Sequence, residues 1–172
     1  MPYPVPVPGS AAARLIEAAT RRFEAEGRER VNVVEIASAA GVTTGALYHH
    51  FGSKDGLYLV IREEMERRIT ERMEGAAAAL GTEGPAAIRA ALLVAFDAAV
   101  RFGVARMLSE TVPDPTSDVI RLTLAPLVPA AATAGAAPVL AAAWRGALGA
   151  VADGLPADEA RQGLVWVLGD GS

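Results

Sequence analysis

The sequence predicts an all-α protein, and three observations carry that prediction. Apolar residues make up 52% of the 172-residue chain, and much of that share is alanine, the best helix former. Aromatic residues make up only 5%, and few stretches join valine, isoleucine and threonine in the period-two alternation of strands. Apolar residues recur instead three and four apart, the spacing of one helix face. The length suits one domain, or a small domain joined to a larger one.

The elements follow in order. Pro2, Pro4, Pro6 and Pro8 alternate through the first residues, which favours an extended, disordered arm over residues 1–9. Ser10 caps a first helix over 11–26. Ala12, Leu15, Ile16, Ala19 and Phe23 form its apolar stripe, and Gly27 ends it. Asn32 and Glu35 hold the N-cap and N3 positions of a capping box, so a second helix spans about 33–40. Gly41 and Val42 turn the chain, and Thr43 or Thr44 caps a short third helix through about residue 50. Ser53 or Lys54 opens a long fourth helix reaching about residue 79, with Leu57, Val60, Ile61, Met65, Ile69 and Met73 as its apolar positions. Pro85 suits the first turn of a fifth helix, expected over 86–109 with Gly103 a candidate break. Pro126 and Pro129 should kink or break the next helix, over 118–132. Two more helices are expected over 138–151 and 156–168. Residues 1–9, 10–54 and 55–172 are thus an arm, a three-helix head and a larger helical domain.

Composition excludes several classes. With no cysteine, neither a disulfide framework nor a Cys-based zinc site can form. The first residues lack the basic and apolar regions of a secretory signal. The apolar runs near the C-terminus are broken by Pro126, Pro129, Gly135, Pro138, Arg145 and Asp153, short of the ~20 residues a membrane span needs. A soluble, cytoplasmic protein is expected. The net charge of −4 does not advertise nucleic-acid binding. Residues 1–54 nevertheless carry +1 and the remainder −5, and an acidic protein binds DNA when its basic groups share one face.

The informative stretch is VNVVEIASAAGVTTGALYHHFGSK, residues 31–54. Two short helices joined by a glycine-containing turn are the sequence form of a helix-turn-helix. Ala37 is small where the helices approach, Gly41 suits a left-handed turn, and Val42, Leu47 and Phe51 supply apolar anchors. At 100° per residue, Leu47 and Phe51 share the inward face. Gly45, Tyr48 and His49 then fall outward, with Thr44 at the exposed N-terminal end. Threonine can bond a base edge or touch a thymine methyl, and His49 can donate to guanine N7 or O6. Tyr48 can bond a phosphate, and Lys54 at a helix start offers a phosphate seat. Each position alone has a plainer reading, with Tyr48 packed on Phe51 and the histidines merely on the surface. The adjacent histidines make a poor metal site, since helix neighbours point about 100° apart.

The segment IASAAGVTTGALYHHFGSKDGL resembles the DNA-binding segment of TetR-type regulators, and the likeness covers about residues 10–62. The candidate DNA-contacting set is Thr43, Thr44, Gly45, Tyr48, His49, His50 and Lys54. The resemblance implies that Thr44, Gly45 and His49 read bases and that Tyr48, His50 and Lys54 hold phosphates. Val33 and Val34 stand where some relatives present Thr or Arg to DNA.

Residues 75–172 contain no His, Lys, Cys or Tyr. They offer no nucleophile–base pair and no metal cluster, so neither catalysis nor a cofactor is expected. The resemblance implies instead a domain that binds a small molecule and dimerises. Met65, Phe96, Phe102, Met107 and Trp144 are candidate pocket liners, each equally readable as core. Arg106, Glu110, Thr123 and Arg145 are the few polar groups available, so an apolar or aromatic ligand is expected. The small-residue-rich last two helices would, by resemblance, form the dimer interface. The expected protein is a homodimeric repressor on a double-stranded DNA operator, released by a small-molecule effector. Two alternatives remain: a small-molecule binding protein with a non-functional head, and an activator controlled by a protein partner.

Overall fold

A computed structural model describes residues 6–81, 83–111 and 115–169. The first five residues of the proline-rich arm and residues 112–114 of the 111–117 loop lie outside the described residues. Every regular element described is helical: α1 (Ala11–Glu26), α2 (Val33–Ala39), α3 (Thr44–Phe51), α4 (Lys54–Ala78), α5 (Pro85–Arg101), α6 (Ala105–Ser109), α7 (Val119–Leu124), α8 (Ala136–Ala152) and α9 (Ala157–Leu168). The chain forms two compact units, residues 1–65 and 66–172, divided within α4.

In the first unit, local chemistry sets the helix ends. Ser10 Oγ accepts from the Ala13 N–H and starts α1. Asn32 Oδ1 accepts from the Val34 N–H and starts α2. The expected capping box is only half formed, because Glu35 turns to Arg22 on α1 at 2.9 Å. After α2, Gly41 takes φ +64°. The Val42 N–H then reaches the Ala37 carbonyl and the Gly41 N–H the Ser38 carbonyl, both at 3.0 Å. This Schellman turn satisfies two end carbonyls and redirects the chain into α3.

Leu15, Ala18, Ala19 and Phe23 of α1 pack with Ile36 and Ala37 of α2, Leu47 of α3, and Leu57, Tyr58 and Ile61 of α4, all 2% exposed or less. Each fully buried large apolar side chain contributes about 1.5–3 kcal/mol. Tyr58 is a core member that the helical spacing passed over. Its ring meets Phe23 edge-on at 5.2 Å, and the Arg28 guanidinium lies 5.4 Å from its centroid.

The second unit is built on small residues. Ala87, Ala91, Ala95, Ala98 and Ala99 of α5 are all buried, which lets neighbouring helices approach closely. The expected fifth helix divides: Gly103, at φ +63°, ends α5 in a second Schellman turn and α6 follows. The proline-bearing helix also stops early, since α7 closes in a single 3₁₀ turn over Ala125–Leu127. Asp97 accepts two bonds from Arg161 at 2.8 and 3.2 Å, tying α9 to α5. Arg106 donates to the Ala152 carbonyl at the end of α8.

Asp118 caps α7, accepting from the Arg121 N–H at 3.2 Å, and accepts from the Arg145 guanidinium at 2.6 Å. Both charged residues are 8% exposed. Burial disfavours the carboxylate, but the bonds from Arg145 and the Arg121 N–H outweigh it, so the carboxyl lies below its ordinary range. Trp144 Nε1 and Arg145 Nε are buried without an acceptor. Among the described residues, no helix is long and apolar enough to cross a membrane.

Candidate nucleic-acid interface

Helix α3 separates its two faces cleanly. Leu47 is fully buried and Phe51 is 9% exposed, whereas Tyr48 is 53% exposed. His49, Thr43 and Gly45 are also exposed, and Thr44 and His50 are half-buried. Thr43 is the N-cap; its Oγ1 accepts from the Ala46 N–H at 3.3 Å, which leaves Thr44 as the first helical residue. The His50 ring sits beside both His49 and Phe51, with centroids 5.3 and 6.0 Å away. Tyr48 therefore does not pack into the core, and the outward row reads Thr43, Thr44, Gly45, Tyr48 and His49.

Gly45 is informative because nothing internal requires it. A Cβ added there would meet only Thr43 Oγ1 at 3.6 Å, an ordinary contact. Glycine in a helix costs up to about 1 kcal/mol relative to alanine. Gly56, by contrast, is structurally obligatory: a Cβ there would stand 2.1 Å from the Phe51 carbonyl oxygen. Gly56 holds the first turn of α4 against the end of α3, and so fixes the angle at which the outward row is presented. Helical spacing gave no sign of this, since the constraint is set by backbone brought close by the turn at Gly52.

Lys54 corrects the sequence reading. Its ammonium does not project as a phosphate contact. It donates to the carbonyls of Arg28, Glu29 and Val31 at 2.8, 3.4 and 3.2 Å, so its three protons bind the α1–α2 loop to the start of α4. Other cations of this unit are also engaged. Arg21 meets Glu17, Arg22 meets Glu26 and Glu35, and Arg28 meets Asp55. The row on α3 thus offers hydroxyls, imidazoles and an open glycine rather than dense positive charge. Beside it lies a notch of about 540 Å³ lined by Val31, Asn32, Val33, Val34, Thr44, Tyr48 and Lys54.

The candidate ligand liners of the second unit fare differently. Phe96, Met107 and Trp144 are at most 1% exposed and packed as core. Phe102 is half-buried, with the Arg72 guanidinium 4.9 Å from its centroid. Met65, half-buried, closes the first unit. None of the five lines the groove this unit does possess. That groove holds about 560 Å³ between the end of α4 and α7, lined by Thr70, Glu74, Ala77, Ala78, Val119, Leu122, Thr123, Pro126 and Leu127. Phe96, Met107 and Trp144 thus take the alternative reading as core, and the groove is shaped by the end of α4, by α7 and by the 3₁₀ turn that follows it. Among the described residues, no cluster of three potential metal ligands occurs.

Comparison with known proteins agrees with this geometry. Residues 15–61 match the bacterial regulatory proteins of the tetR family. The chain is 34% identical over 64 residues to the HTH-type transcriptional repressor AcnR of Corynebacterium glutamicum, a match spanning 37% of this chain and 34% of that one. It is 38% identical over 61 residues to the A-factor receptor protein of Streptomyces griseus, covering 36% and 22% of the two chains. These matches reach about a third of the relatives' length at most. The fold extends further: a TetR-family transcriptional regulator from Pectobacterium atrosepticum superposes with a TM-score of 0.64 at 21% identity, over 91% of this chain and 89% of that one. The likeness therefore has two parts: residues 15–61 match the DNA-binding segment of the bacterial regulatory proteins of the tetR family, and the all-helical fold as a whole is similar to that of a solved TetR-family regulator.

Proposed function

We propose that this protein is a homodimeric repressor that reads a near-palindromic operator with α3 and is released by a small-molecule effector. The observation that carries the DNA reading is the open glycine in the exposed row. Gly45 lowers helix propensity with no internal return, and an outside surface that must come close accounts for it. Tyr48, Thr44 and His49 flank it with groups suited to phosphates and base edges. The repressor reading is supported by the likeness to AcnR, named as a repressor.

The dimer reading rests on α9. Its Ala160 and Leu164 are buried, but Trp166 is 84% exposed, the most open large apolar side chain among the described residues, and Val167 follows at 60%. Burying such a surface against its own copy removes the largest apolar liability. A dimer would present two α3 helices to successive major grooves about 34–36 Å apart. The effector reading rests on the groove beside α7, mostly apolar with two threonine hydroxyls and one carboxylate at hand. An effector there acts only if it binds the DNA-incompetent form more tightly.

Selection of bound DNA from a random pool, followed by gel-shift titration, tests the DNA reading. A two-fold symmetric site is expected. Tyr48→Ala should weaken binding to all sequences at least several-fold, with stability altered by no more than about 0.5 kcal/mol, as for an exposed side chain. Enrichment of no sequence, or unchanged affinity in that variant, would refute it. Trp166→Glu should convert the dimer to monomer in sedimentation; an unaltered mass would refute the α9 interface.

A further inference from the structure

The first turn of α2 leaves Val34 61% exposed. Single exposed aliphatic side chains are ordinary, but Val34 is not single. It lines the notch of about 540 Å³ together with Val31, Val33, Thr44 and Tyr48. Thr44 and Tyr48 belong to the outward row of α3, so the notch continues the surface read above as the DNA face. Two polar atoms beside it already have internal partners. Lys54 Nζ is bonded to the Arg28, Glu29 and Val31 carbonyls, and Asn32 Oδ1 accepts the Val34 N–H at 2.9 Å. What this part of the surface offers is the exposed Val34 and half-buried Val33 side chains, beside the exposed Asn32 and the hydroxyls of the neighbouring helix.

In the major groove of unmodified DNA, one base edge carries an apolar group, the 5-methyl of thymine. A 5-methylcytosine carries the same group on the same carbon. We propose that Val34, with the methyl of Thr44 and the flank of Tyr48, is a specificity-determining residue that seats a pyrimidine 5-methyl group, so that each half-site holds a thymine at one fixed position. This inference rests on the DNA-binding reading above and adds the chemistry that Val34 recognises. Hydrogen-bonding residues at the first turn of α2 would read a donor or acceptor there; the valine selects for a methyl.

The test uses the full chain and the operator obtained by random-pool selection. Each thymine of the half-site is replaced in turn by uracil, which keeps base pairing and removes only the methyl. At one symmetric position, uracil should weaken binding about fourfold per half-site and about fifteenfold when both are replaced, the effect of leaving one methyl group unburied. Val34→Ala should bind thymine and uracil operators equally at that position, and Val34→Ile should keep the preference. Placing 5-methylcytosine there should bind more tightly than cytosine, which separates the methyl from the rest of the thymine edge. Uracil tolerated at every position, or an undiminished thymine preference in Val34→Ala, would overturn the inference while leaving DNA binding intact. A pool that enriches no sequence would instead overturn the DNA-binding reading, and this inference with it.

Discussion

The two units of this protein engage their polar groups differently. In the first, several polar groups find internal partners near the surface: Lys54 holds three carbonyls, Glu35 meets Arg22, and Asn32 and Thr43 cap helices, while Arg62 is buried. What remains open is a row of small and hydrogen-bonding side chains on α3. In the second, charge goes inside as the Asp118–Arg145 pair, and two donors are left without acceptors, while the outside of α9 carries an open tryptophan and valine. Exposed groups without an internal partner are those available to an external one. They suit a polar duplex in the first unit and an apolar surface in the second.

The largest expected break in this comparison comes from the buried pair. Asp118→Ala leaves the Arg145 charge without its partner and should cost about 3 kcal/mol of stability, measured by denaturant unfolding. Linkage gives the pH signature. An unfolded aspartate titrates near 3.9, while native Asp118 holds its negative charge to lower pH. Its contribution is therefore complete above about pH 4 and is lost as pH falls through the native value. Asp118→Asn should flatten that acid limb of the stability profile; an unchanged limb would show that the pair carries no net linkage.

Gly56→Ala should act on the first unit with somewhat smaller effect. The added methyl must displace the Phe51 carbonyl, an overpacking change of about 1–3 kcal/mol, and DNA affinity should fall because α3 tilts. A variant with wild-type melting and wild-type affinity would contradict the close approach. Gly45→Ala sharpens the comparison most, with the smallest stability change. With space for the methyl, it should stabilise the protein by about 0.4–1 kcal/mol and at the same time weaken operator binding in a gel shift. Parallel rather than opposite changes would mean that the glycine serves the fold and not the duplex.

Much of this was legible from local patterns. Leu47 and Phe51 four apart fixed the inward face of α3, and Ser10, Asn32 and Gly41 marked helix ends because caps and left-handed turns act over a few residues. What stayed hidden shares one cause. Lys54 reads as a free cation, and Asp97 gives no sign of Arg161, because in each case the partner lies far along the chain. Residue type and spacing cannot distinguish a charge that projects from one bent back onto carbonyls more than twenty residues earlier.

By itself, the sequence determined the helical class, the order and approximate limits of the elements, and the face of α3 that turns outward, because propensity, capping and 3.6-residue periodicity are local forces. Tertiary structure alone decided which polar groups are consumed internally, which bulky side chains fill the core rather than border a groove, and why Gly56 admits no side chain. Those outcomes depend on distances between segments that only folding brings together, and a hydrogen bond or a packed contact exists only once that distance is set.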